Sequence, residues 1–344
     1  PRSSEYDDLA RVFAGLPLPT KSKVSAVAAE KSYAEYARKL QADWAQYQQA
    51  TQAPARLWSE QVLSDMGRGP VFYPFSGPDL LNPLALFPHA TSYTLLGLEP
   101  VGTLPRASDS KRLNLQRLRK LDKVLKHILK RNYFITDSMA ESLGPEEDSV
   151  GVGAVLMLFL GLTGHEIVSA RVISLDAGGG VIAFAPRHED ALQGVEVVFR
   201  PLANPEDEKV VRYFSTDADD DHFTFTQGLL KHLELQGELT SLTKAASYLM
   251  YSPTFDDVRS LILSRSRFIV TESTGVPYHF LTKADVDISL FGLYREPIPD
   301  FSDCCEPDLK EALESDARGP LPFHFGYETR SHLIVVRRKP GWVM

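Results

Sequence analysis

Three stretches of the chain carry residue types that bind or transform small molecules. The first is Tyr73-Pro74-Phe75-Ser76-Gly77-Pro78-Asp79, with Glu99 placed 22 residues after Gly77. Nucleotide-binding turns use glycines so that backbone N–H groups approach a ligand and the next helix starts close by. Here Gly77 is the one glycine of that kind, and Pro78 removes a donor. Asp79 is placed to cap a following helix. Glu99 ends the next apolar stretch, where an acid commonly meets ribose hydroxyls. Tyr73, Ser76, Gly77, Asp79 and Glu99 are therefore candidate ligand-binding residues.

The second stretch is Asp217-Ala218-Asp219-Asp220-Asp221-His222. Alternating aspartates suit calcium loops, but the sixth position is His222 where glycine is required, and the twelfth is Gly228 where glutamate is required. An EF-hand is excluded, and an acidic turn is the favoured reading over a metal site. The third is Thr271-Glu272-Ser273-Thr274-Gly275-Val276-Pro277-Tyr278-His279, which follows a short apolar strand. Ligand-facing groups gather at such strand ends in open α/β sheets. Glu272, Ser273 and Tyr278 join the candidates, against a competing reading as a turn stabilised by its own hydroxyls. Hydrolase, zinc and Walker signatures are absent, as is any C-x-x-C. The two cysteines, Cys304 and Cys305, are adjacent and staple no distant segments.

These groups need elements to hold them. The pattern predicts strand 71–75, a tight turn, a short helix, and strand 92–98 lying parallel to the first. A helix over 5–18 carries Tyr6, Leu9, Ala10 and Phe13 on one side. A long helix over 24–52 repeats Tyr33, Tyr36, Leu40, Trp44 and Tyr47 at three- and four-residue spacing, a core stripe. Another helix covers 54–66. A basic, leucine-spaced helix spans about 110–131, with a solvated charged face as its first reading and phosphate binding as its second. Residues 152–162, 165–173, 181–185, 194–200 and 209–215 read as strands, the later ones antiparallel. Helices follow at 224–236 and 254–264, a strand at 267–271, and a closing hairpin of 321–327 with 332–338. The segment 241–251 fits helix and strand equally.

Hydrophobic residues make up 43% of the 344, which permits a large core, and a net charge of −8 disfavours nucleic acid and anionic membranes as partners. No apolar run is long enough for a transmembrane helix. The 71–100 unit and the closing hairpin resemble class I S-adenosylmethionine-dependent methyltransferases. That resemblance implies a Rossmann-like fold and S-adenosylmethionine held by Gly77 and Glu99. Leu9–Pro17, the Tyr73–Asp79 loop, Lys244-Ala245-Ala246-Ser247-Tyr248-Leu249-Met250 and Ser273–Tyr278 are together similar to an uncharacterised family of bacterial proteins, many of them exported. That likeness implies a periplasmic or secreted protein rather than a cytoplasmic one. It also implies a reused cofactor cleft, since S-adenosylmethionine is not expected outside the cytoplasm. The fold expected is α/β: a Rossmann-like three-layer domain over 67–344 with a mixed sheet, a helical extension over 1–66, and a C-terminal antiparallel hairpin. Three functions fit. One is a small-ligand site between the 74–79 loop, Glu99 and the 271–279 turn. Another is a small-molecule methyltransferase. The third is an interaction protein using the aromatic N-terminal helices.

Overall fold

Val71-Phe72-Tyr73 is short, aromatic and β-branched, and buried on both faces, as the middle strand of a parallel sheet should be. This strand, β1 (Val71–Tyr73), pairs in parallel with β2 (Ser92–Gly97) on one side and β7 (Leu239–Leu242) on the other. A computed structural model describes residues 4–108, 114–134, 143, 150–184, 191–225, 227–282, 285–294, 297, 306–327 and 331–339. Among them ten strands form one mixed sheet, completed by β3 (His165–Leu175), β4 (Val181–Ala183), β5 (Gln193–Pro201), β6 (Lys209–Ser215), β8 (Ser266–Thr271), β9 (Val286–Gly292) and β10 (His332–Arg338). The order is β4-β3-β5-β6-β2-β1-β7-β8-β10-β9. The run β6-β2-β1-β7-β8 is parallel. β3 to β5 extend one edge as antiparallel strands, and β10 runs antiparallel between β8 and β9.

Alternate side chains feed two cores, one on each face of the sheet. Tyr73, Tyr93, Leu95, Val211, Tyr213 and Leu333 point to one side. There they meet the helices Glu5–Phe13, Lys31–Tyr47, Ala53–Val62, Leu115–Arg131 and Gly151–Leu162. Phe72, Leu96, Phe214, Ile269 and Ile334 point to the other. There they meet the helices Gln227–Leu235, Asp256–Arg265 and Pro307–Asp316. The result is the three-layer α/β sandwich expected, and the helices of the first 66 residues share a core with the sheet. No helix among the described residues is long and apolar enough to cross a membrane.

Three expectations change. Residues 151–162 are a helix, not a strand. Every one of its side chains is buried, so it lacks the polar face that reveals a helix by its period. Its Gly161 is required by close packing: a Cβ there would lie 2.8 Å from Ala10 O and 3.0 Å from Ala14 Cβ of the crossing N-terminal segment. The partner of 332–338 is β9 at 286–292, not 321–327. Pro322 deprives 321–327 of a ladder donor directly after Pro320, and the segment runs as an irregular strap. The undecided 241–251 is the end of β7 followed by a tight, left-handed loop. Cys304, Cys305 and residues 110–113 of the basic helix lie outside the described residues. The rest of that helix buries Leu118, Leu121, Leu125 and Ile128 and pairs Lys126 with Asp122.

Overpacking costs roughly 1–3 kcal/mol where neighbours cannot retreat. Gly161→Leu should therefore lower the unfolding free energy by that amount, read as a lower urea midpoint at unchanged slope. An unchanged midpoint would mean that helix Glu5–Phe13 does not cross at this point.

Candidate functional site

Four parallel strands end on one cleft. Phe75 and Gly77 follow β1, Leu96 to Glu99 close β2, Thr216 to Ala218 follow β6, and Ala245 to Leu249 follow β7; Phe134 and Tyr327 complete the walls. The chain leaves β1 for β2 on one side and later returns to β7 on the other. The cleft thus lies outside the carboxyl ends at the topological switch point, where open α/β sheets bind ligands. Its volume is about 240 Å³. That is just below the roughly 300 Å³ at which small-molecule pockets usually begin.

Glu99 is fixed at the cleft wall. The Tyr213 hydroxyl donates to its backbone oxygen at 2.7 Å and to Oε2 at 3.1 Å. Burial first, then Glu99, holds the Tyr213 phenol well above its ordinary range. Gly97 makes room: a Cβ there would lie 2.6 Å from Glu99 Oε2 and 2.6 Å from Gly77 Cα. The loop amides of Ser76 and Gly77 both donate to Leu96 O, at 2.9 and 3.1 Å. The Ser76 hydroxyl donates to Gly77 O at 2.8 Å and Leu96 O at 3.0 Å. The N–H groups that would cradle a phosphate are therefore spent on β2. Among the described residues, Glu99 and Asp217 are the charged groups lining the cleft, and neither lysine nor arginine lines it.

The opposite wall is a strained loop. Ala245, Ser247 and Tyr248 have φ of 52°, 51° and 57°, a left-handed conformation that costs non-glycine residues about 1–3 kcal/mol each unless the surroundings over-determine it. They do. Glu272 accepts from Ala245 N at 2.8 Å and Thr274 N at 2.9 Å, and also from the Thr274 hydroxyl. Ala246 N donates to Thr274 Oγ1 at 3.0 Å. Tyr327 Oη donates to Ala245 O at 2.8 Å and accepts from Ser247 Oγ at 2.6 Å. Burial pushes the Glu272 carboxyl up, against the pull of those donors.

Below this loop lies a buried polar knot. Lys244 Nζ donates to Asp79 Oδ2 at 3.0 Å and to Asn132 O, and sits 5.8 Å from the centre of the Phe325 ring. Asp79 also accepts from Tyr73 Oη at 3.1 Å, Asn82 Nδ2 at 2.8 Å and Asn82 N at 3.2 Å. Asn132 accepts from Tyr47 Oη at 3.1 Å and donates to His324 O at 2.6 Å. Burial lowers the Lys244 ammonium, with Asp79 opposing.

The structure thus sorts the sequence candidates. Gly77 and Glu99 line the cleft, and Ser76 braces its floor. Tyr73 and Asp79 belong to the buried knot, where Asp79 accepts the Asn82 amide as the following helix begins. Glu272 holds the 245–248 loop from behind. Ser273 N donates to His332 Nε2 at 2.8 Å. Tyr278 N donates to Glu306 Oε1 at 2.6 Å, so Tyr278 starts the short helix Tyr278–Leu281 away from the cleft. Asp217, Asp219 and His222 gather within 4.8 Å. Their contacts are those of a helix cap: Asp219 Oδ1 accepts from His222 N at 2.8 Å as helix Asp220–Phe225 begins. Lys244, Asn132, Tyr213 and Tyr327 were missed. Of these only Lys244 had a visible signal, a lone charge directly after an apolar strand.

Removing one partner of a buried ion pair costs about 3–5 kcal/mol, because the other charge stays uncompensated. Lys244→Met should show that loss in denaturant unfolding, and adding Asp79→Asn should restore much of it; additive losses would contradict a charge-pair role. His332 is fully buried, and burial pushes its imidazole down to about 3. An unfolded histidine titrates near 6.5, so between about pH 6.5 and 3 the unfolded chain holds the extra proton. Stability from this group is complete above pH 6.5 and drains as pH falls, by about 1.4 kcal/mol per pH unit. His332→Gln keeps an acceptor for Ser273 N and should flatten the measured slope of unfolding free energy by that amount between pH 6.5 and 4.5.

No family model and no curated protein matches this chain.

Proposed function

We propose that the cleft binds a nucleoside that carries no phosphate, with S-adenosylmethionine as the ligand of choice and small-molecule methyl transfer as the activity. One observation carries this reading. The cleft occupies the nucleotide position of the sheet, yet its loop amides are already bonded to Leu96 O and the charges lining it among the described residues are both carboxylates. Phosphates are repelled there, while hydroxyls, amines and a sulfonium are attracted. Glu99 is placed for the ribose hydroxyls, and Asp217 for an N–H of the base. Phe75, Leu249 and Phe134 supply apolar contact. The order β6-β2-β1-β7-β8, followed by one antiparallel strand slipped inside the last, is also the arrangement of class I methyltransferase sheets.

The bound sulfonium would supply a methyl group. The chain's own residues fix the nucleoside, and the 245–249 loop with Tyr327 shapes the side from which an acceptor approaches. A periplasmic or secreted setting, which the likeness to exported proteins favours, would offer free nucleosides in place of S-adenosylmethionine. Both share the chemistry the cleft selects.

Calorimetric titration tests this. S-adenosylmethionine, S-adenosylhomocysteine or adenosine should bind, and Glu99→Ala should weaken binding by about 1.5–3 kcal/mol, the worth of a hydrogen bond to a charged group. AMP and NAD should bind far more weakly than adenosine. Silence from all three nucleosides at millimolar concentration would overturn the proposal, and so would tighter binding of the phosphorylated ligands.

A further inference from the structure

A second pocket, of about 320 Å³, lies between the N-terminal helices and the start of β3, with no residue in common with the cleft. Trp44, Gln48, Gln52 and Arg56 all line it, at four-residue spacing. In a regular helix that spacing drifts, since four residues overshoot a 3.6-residue turn by about 40°. Three steps would carry Arg56 about a third of the way round the axis from Trp44. The helix avoids this with a π turn at Gln48–Gln52, where Ala53 N donates to Gln48 O five residues back. The wider turn absorbs the drift and keeps the four side chains on one pocket. Such turns cost helix geometry and gather at functional sites.

Thr163 and His165 form the facing wall. The Thr163 hydroxyl donates to Phe159 O at 2.7 Å, so it accepts from His165 Nδ1 at 2.9 Å. That fixes the tautomer and leaves Nε2 as an acceptor. Burial, then Lys209 and Arg56, pushes His165 down to about 4, so the ring stays neutral at physiological pH. Arg56 is the one charged residue lining the pocket among the described residues. It gives Nε to Glu60 at 3.3 Å, and its side chain is 61% exposed at the rim.

We propose that this pocket binds a small aromatic carboxylate bearing a hydroxyl or N–H group. The carboxylate pairs with Arg56, the ring lies against Trp44 and Leu84, and the donor meets His165 Nε2. One cation matches one negative charge, and the apolar walls select a flat body.

4-Hydroxybenzoate is the probe, with benzoate and 4-hydroxybenzyl alcohol beside it, followed by calorimetry and tryptophan emission on the full chain. The acid with the hydroxyl should bind with millimolar or better affinity, benzoate more weakly, and the neutral alcohol at least about tenfold more weakly, as expected on losing a charge-assisted contact. Arg56→Gln changes an exposed side chain and should weaken the acid by about tenfold as well. Glu99→Ala should leave it unchanged. No binding of either acid, or equal binding by Arg56→Gln, would overturn the proposal. Trp44→Phe should remove the emission change on binding; an emission change that persists in this variant would place the ligand elsewhere and also overturn it.

Discussion

The ion pair between Lys244 and Asp79 is the constraint on which the rest of this molecule depends. Both side chains are almost fully buried, so each charge is tolerable only while the other is in place. Asp79 belongs to the turn after β1 and Lys244 to the turn after β7. Their contact fixes the two strands on either side of the switch point. Asn132 ties the end of helix Leu115–Arg131 into the same knot, Tyr47 adds the N-terminal helices, and His324 adds the C-terminal strap. Five distant segments thus meet around a single pair of charges. Such a centre contributes less net stability than an apolar one of the same volume, but it admits few alternative arrangements.

The cleft inherits its shape from that knot. Lys244 immediately precedes Ala245, so the left-handed loop starts from a fixed point. Glu272 and Tyr327 then hold its amides and carbonyls from two further directions. On the other wall, the Leu96 carbonyl takes the amides of Ser76 and Gly77, and Gly97 lets Glu99 fold back over the strand. The loop amides that could face a ligand are engaged within the sheet, and the described charges beside them are acidic. The character of the cleft is thus set as much by backbone groups already engaged as by the side chains on view.

The parallel pair β1–β2 was legible in the sequence because strand, turn, short helix and strand followed one another within thirty residues, whereas the parallel places of β6 and β7 beside it were not. The Gly77 and Glu99 pairing at the cleft was legible for the same reason, since it rests on local spacing. What escaped depended on long-range partners. Helix Gly151–Leu162 has no polar face, so nothing in its period separates it from a strand. The true neighbour of β10 is chosen by prolines that disqualify 321–327 and by a better ladder at 286–292. Lys244 and Asn132 matter only because segments more than a hundred residues apart converge, and no local pattern encodes that. Tyr73 and Asp79 were recognised as special from their turn. Their place in the knot rests on partners far away in sequence, Lys244 above all.

The N-terminal helix covers the apolar helix Gly151–Leu162, and Asp7 accepts the amide of Ile167 at 3.2 Å. These contacts join the beginning of the chain to a segment some 150 residues later. The same helix also has near partners in sequence: Tyr33 and Tyr36 donate to Val12 O and Phe13 O. One face of the helix is thus satisfied by a local contact and the other by a contact of long loop length, the kind that costs most closure entropy. A break in the N-terminal helix would therefore uncover the most oily segment of the polypeptide, the kind of surface that drives aggregation.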